Sequence, residues 1–122
     1  MSLSVSTQAN PVATSLIVQT EATATSDDDI LNAAATVYLV DIDNTDNATD
    51  ASYVKLYNDA APTVGTTVPD VVLMIPGATR RQCAWPEGLA FGTSLSMCCV
   101  TTGGTAGTTD PTEAVTVRIL AS

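Results

Sequence analysis

Short apolar runs alternate along the chain with clusters of Asp, Asn, Thr, Gly and Pro. Thr14–Thr20 carries Leu16–Ile17–Val18 and is predicted as a first strand. Glu21–Asp29 runs through small polar residues into Asp27–Asp28–Asp29, and three like charges in a row belong in solvent. An Asp ahead of Ile30–Leu31 could cap a short helix. Ala33–Ala35, however, leads into Val37–Tyr38–Leu39–Val40, so a second strand is predicted over 34–42, apolar on both faces and therefore central in its sheet. Asp43–Asp50 holds only Asp, Asn, Thr and Ala, whose Asx side chains bond their own backbone, and it is a turn. Ala51–Asn58 is the third strand, with Val54 and Leu56 on one face and Tyr53, Lys55 and Tyr57 on the outward one. Pro62 and Gly65 turn the chain within Asp59–Thr67. Asp70–Ile75, Arg80–Trp85 and Leu95–Thr101 supply three more strands, separated by Pro76–Gly77 and Pro86–Glu87–Gly88. Glu113–Leu120 alternates most clearly, with Val115, Val117 and Ile119 inward and Thr116 and Arg118 outward.

About seven short strands parted by turn residues predict an all-β chain, a single β-sandwich of immunoglobulin-like or jelly-roll kind. The spacing does not separate those two topologies. Residues 1–13 are small and polar, and Pro11 cannot pair at its own nitrogen. They are predicted as an extended N-terminal arm ahead of a sandwich domain over 14–122. Composition agrees: the apolar 45% is Ala and Val rather than aromatic, Thr is abundant, and Glu, Lys and Gln are scarce.

Charge narrows the choice of partners. A net charge of −9 with only four Lys and Arg excludes a phosphate-binding stripe, so no nucleic acid is expected, and anionic membranes are disfavoured. The first residues lack a basic n-region and a long apolar core, which predicts no secretory signal and assembly in a cytoplasm. Cys83, Cys98 and Cys99 are an odd count; one bond from Cys83 to either neighbour is conceivable, but reduced thiols acting as small hydrophobes fit a reducing compartment better.

Candidate chemistry is thin. There is no His to act as a general base, the lone Lys55 is mid-strand, and neither GxSxG nor a P-loop occurs. No catalytic residue, cofactor or metal is therefore expected, and the chain is read as a non-enzyme. The loop Asp41, Asp43, Asn44, Asp46, Asn47, Asp50 invites a calcium reading. It departs from the EF-hand pattern, because Thr45 and Asp46 fall where a ligand and the Gly belong and no Glu closes the loop. A solvated Asx turn accounts for it. Asn47–Ala48–Thr49 matches a glycosylation sequon without a secretion signal to support it. Arg80, Arg81 and Trp85 are residue types common in interface hot spots and form the candidate partner-binding patch, together with Pro11 in the arm. The plain alternative is a Trp that caps one end of the core.

Several segments carry a resemblance. They are Asp43–Asn44, Tyr53–Val54–Lys55–Leu56–Tyr57, the corner Ala61–Pro62–Thr63–Val64–Gly65–Thr66, the block from Gly88 to Ser96 (GLAFGTSLS), and Thr101–Thr102–Gly103. In these the chain resembles small virion-associated structural proteins of tailed bacteriophages, including cyanophages, over about residues 36–120. The resemblance implies a virion structural role on the outer capsid surface: a decoration (cement) protein that bridges subunits of the major capsid protein, itself a dimer or trimer. A tail, baseplate or fibre module, with host-glycan binding, is the alternative. It transfers no catalytic or ligand residues.

Overall fold

A computed structural model describes residues 3–7 and 12–122 of the chain. Its elements are β1 (Leu3–Thr7), β2 (Ser15–Gln19), β3 (Ala35–Asp43), β4 (Ser52–Asn58), β5 (Val71–Ile75), β6 (Arg80–Phe91), β7 (Leu95–Val100) and β8 (Thr116–Ala121). They form a five-stranded sheet in the order β1-β2-β8-β3-β6 and a three-stranded sheet in the order β5-β4-β7, with every pairing antiparallel. No helix occurs among the described residues. The chain is thus an all-β sandwich.

The core lies between the sheets. Ile17, Val37, Val40, Ile42, Val117 and Ile119 face it from the larger sheet, and Val54, Leu56, Met97 and Cys99 from the smaller one. The alternation of Glu113–Leu120 is realised in β8, where Val117, Ile119 and Ala121 are buried. β3, apolar on both faces, sits between β8 and β6. β7 is buried along its whole length. Its far edge is covered by residues 22–30, through an isolated bridge between Asp27 and Met97 and bonds from Cys99 N–H to the Thr23 carbonyl and from Ile30 N–H to the Leu95 carbonyl.

Four expectations change. Among the described residues the strands number eight, because Leu3–Thr7, inside the stretch read as an arm, pairs with β2 as an edge strand. β6 runs on through the Pro86–Gly88 break to Phe91, since β3 supplies partners on both sides of that break. Asp27 and Asp29 turn inward rather than into solvent: Gln19 Nε2 donates to Asp27, and Ser94 Oγ donates to Asp29. Lys55, placed outward by alternation, is fully buried, because residues 101–112 fold over the outer face of the small sheet. Alternation assigned its face correctly; the cover came from a loop remote in sequence.

Candidate interaction surface

The outer face of the five-stranded sheet carries an open apolar concavity. Direct register aligns Leu16, Leu120, Leu39 and Ala84 across β2, β8, β3 and β6. A bulge between Val37 and Leu39 shifts the register, so Trp85–Gly88 of β6 lie opposite Tyr38 alone. Extra residues in one strand bend it and re-aim its side chains. Here they produce a cleft of about 510 Å³ lined by Val12, Tyr38, Leu39, Ala84, Pro86 and Leu120. A second concavity of about 440 Å³ against Trp85, Pro86, Glu87 and Gly88 adjoins it through Pro86. Together they form an apolar shelf.

Gly88 makes the bulge possible. Its φ is +84°, and a Cβ there would collide with Thr36 Cγ2. Glycine alone tolerates both the left-handed backbone and that approach.

The next row across the sheet is polar beyond Val18, with Arg118, Asp41 and Gln82 in register with it. Arg80 grips Asp41 through Nε and Nη2, a bidentate pair in which the carboxylate is buried and the guanidinium half-exposed. Hydrogen bonding to Asp41, then its charge, holds the Arg80 pKa above its usual value. Thr45 donates to Asp43 from both hydroxyl and amide and lowers the Asp43 pKa.

The predicted contact residues are therefore not brought together as one patch. Arg80 belongs to the outer face with Asp41, whereas Arg81, opposite Ile42, is the next residue along and points to the other side. Trp85 packs against the main core and reaches the surface at the bulge. Pro11 lies outside the described residues; its neighbour Val12 is exposed and lines the shelf. Sequence reasoning missed the shelf itself. The available signal was Leu120, an apolar residue on the otherwise polar face of the last strand, in line with Leu16 and Leu39.

The acidic loop is a framework. Asn44 is fully buried; its Nδ2 donates to the carbonyls of Asp50, Ile75 and Pro76, and its Oδ1 accepts from Asn47 and Ser52. Asn47 is also buried, and it joins the loop to Glu113 by bonds in both directions. A glycan on its Nδ2 would have to replace those bonds. With Asp41 on Arg80 and Asp43 on Thr45, four of the six side chains considered for calcium serve other partners, and Asp46 and Asp50 are exposed. Among the described residues no three His, Cys, Asp or Glu converge on a possible cation position.

The small sheet's outer face holds a second, covered cluster of Tyr57, Cys98 and Val100. Tyr57 Oη and Cys98 Sγ are 3.6 Å apart. Burial, followed by the contact with Cys98, pushes the Tyr57 pKa up; burial also raises Cys98 and takes Cys99 up to about 12. Those two thiols stay protonated at neutral pH and act as small apolar side chains. None of the three cysteines is in a disulfide.

Compared with known proteins, the chain matches no family model and none of the curated proteins.

Proposed function

We propose that this chain is a structural protein of a phage virion, a capsid decoration protein that docks on the major capsid protein through the outer face of its five-stranded sheet. The observation that carries the reading is the apolar shelf of Val12, Tyr38, Leu39, Ala84, Pro86 and Leu120. A shallow apolar surface rimmed by Arg80, Asp41 and Arg118 fits a protein face, because apolar area drives association and the rim sets orientation. Buried polar side chains elsewhere, Asn44 and Asn47 foremost, hold loops together. That is the economy of a rigid structural module.

The wind of the chain supports the same reading. Counting from β2 and taking residues 22–30 as the second strand, one sheet runs first-eighth-third-sixth and the other second-seventh-fourth-fifth. We read this as a jelly roll rather than an immunoglobulin-like sandwich. Jelly rolls recur in viral capsid proteins, which raises the prior by analogy but assigns no role alone. The resemblance of 36–120 to small virion proteins points the same way.

The experiment is cryo-EM of virions assembled with wild-type chain or with Leu120→Asp. Leu120 is only partly buried, so the variant is expected to keep its fold by circular dichroism. Wild-type density on the outer shell and its loss in the variant are the expected results. Full occupancy by a folded Leu120→Asp would overturn docking through the shelf. Density confined to the tail would replace the capsid reading with a tail or fibre module.

A further inference from the structure

We infer that the outer edge of β2 accepts a β1 strand from a second copy of this chain, so that two molecules exchange residues 3–7. Every residue of β1 is exposed, and among the described residues its only strand partner is β2. The pairing runs from Leu3↔Gln19 to Thr7↔Ser15. β2, in contrast, is anchored on its other side to β8 from Ser15↔Ala121 to Gln19↔Val117, and its Ile17 and Gln19 are fully buried. The acceptor edge is therefore fixed by the core, while the strand on it adds nothing to the core.

Such an edge selects its occupant. The N–H and C=O groups along it, which pair with β1, demand an extended backbone. An identical β1 reproduces the whole register, and reciprocal exchange closes on a two-fold with both acceptors filled. The side chains also favour a neighbour. Leu3 and Val5 fall in register with Gln19 and Ile17, on the core-facing side of the sheet, yet they are 36% and 44% exposed. They overhang the sandwich without cover, and a second molecule packed along this edge would cover them. The connection can lengthen with Ala13 left buried and Thr14 on Ser122: residues 8–11 alone span up to about 13 Å when extended, more than the ~4.8 Å spacing between strands. The inference uses strand pairing alone and is independent of the capsid reading.

Two chains test it, one carrying Ser4→Cys and the other Val18→Cys, both with Cys83→Ser to silence the partly exposed native thiol. Positions 4 and 18 are directly paired. The chains are mixed, concentrated, oxidised and run on non-reducing gels, with the disulfide located by mass spectrometry. A Val68→Cys chain mixed with the Ser4→Cys chain supplies the random-collision level, since Val68 is 72% exposed. Exchange predicts a 4–18 heterodimer that rises with concentration and stands well above that level. A 4–18 yield no higher than the Val68 background at every concentration would overturn it. Sedimentation of the wild type against a chain lacking residues 1–7 provides a readout free of engineered thiols. Loss of dimer on deletion supports exchange, and dimer unchanged by deletion, or none in the wild type, refutes it.

Discussion

Lys55 is the side chain whose surroundings depart most from its place in the sequence. It is 0% exposed, and its ammonium donates to the Gly107 carbonyl at 3.1 Å and the Thr105 carbonyl at 3.5 Å. A buried ammonium is costly unless its protons are matched. These bonds also fasten residues 101–112 over the small sheet, and Gly103 packs so close to the Tyr53 ring that a Cβ would meet it at 3.0 Å. Replacing Lys55 by Met keeps most of the volume but leaves two carbonyls without their donor. Lys55→Met is expected to lose about 1–3 kcal/mol in urea unfolding, with faster amide exchange confined to residues 101–112. Unchanged exchange there would show that the loop is held by other contacts. Asp27 gives a residue-scale test with pH. Burial raises its pKa above the ordinary 3.8, partly offset by the bond from Gln19 and reinforced by Asp28. The folded chain thus holds this proton more tightly than the unfolded chain, and the Asp27 contribution to stability falls as pH rises through that window. Asp43 has the opposite sign, because Thr45 lowers its pKa. Asp27→Asn should therefore give melting temperature a more positive slope against pH, from the ordinary 3.8 upward, than the wild type has. An identical slope would mean that Asp27 titrates as it does in the unfolded chain.

At the scale of elements, the bulge facing Trp85–Gly88 shapes the shelf, and Gly88 controls the bulge. Its positive φ and its close approach to Thr36 mean that Gly88→Ala must shift the backbone or Thr36. A loss of about 1–3 kcal/mol is expected, measured by chemical denaturation. Gly92 lies just beyond the end of β6, and a methyl group added there would meet nothing within 4 Å, so Gly92→Ala should stay within about 0.5 kcal/mol. Equal effects at the two sites would remove Gly88 from its role. The same elements show how far sequence goes. Period-two patterning located β8, because burial on one face leaves a direct trace in residue type, and the continuous apolar run Val37–Val40 located the centre of β3. It could not foresee β1, whose LSVST is exposed throughout, nor the continuation of β6 past Pro86, which depends on register with β3. The shelf was illegible for a related reason. Leu16, Leu39 and Leu120 are far apart in sequence and become one surface only through pairing between strands. Arg80, Arg81 and Trp85 are close in sequence, but a strand sends neighbouring side chains to opposite faces.

For the whole molecule, charge is the property that acts at longest range. Thirteen carboxylates stand against four cationic side chains, and the net charge is −9. Two of those cations do little to offset the rest: Lys55 is buried under its loop, and Arg80 is committed to Asp41. The surface therefore repels itself, and self-repulsion disfavours the compact state. Salt shortens the range of that repulsion to about 10 Å at 0.1 M, while the close Arg80–Asp41 pair is screened less. Melting temperature should accordingly rise between about 10 mM and 200 mM NaCl, a range over which the screening length falls several-fold. Calcium chloride at matched ionic strength separates general screening from a specific site. Asn44 and Asn47 are turned into the framework, Asp41 is held by Arg80 and Asp43 by Thr45. The two salts should then raise the melting temperature equally. An additional, saturable rise with calcium would establish a site in the 41–50 loop, and a fall with NaCl would show that attractive pairs outweigh the net repulsion.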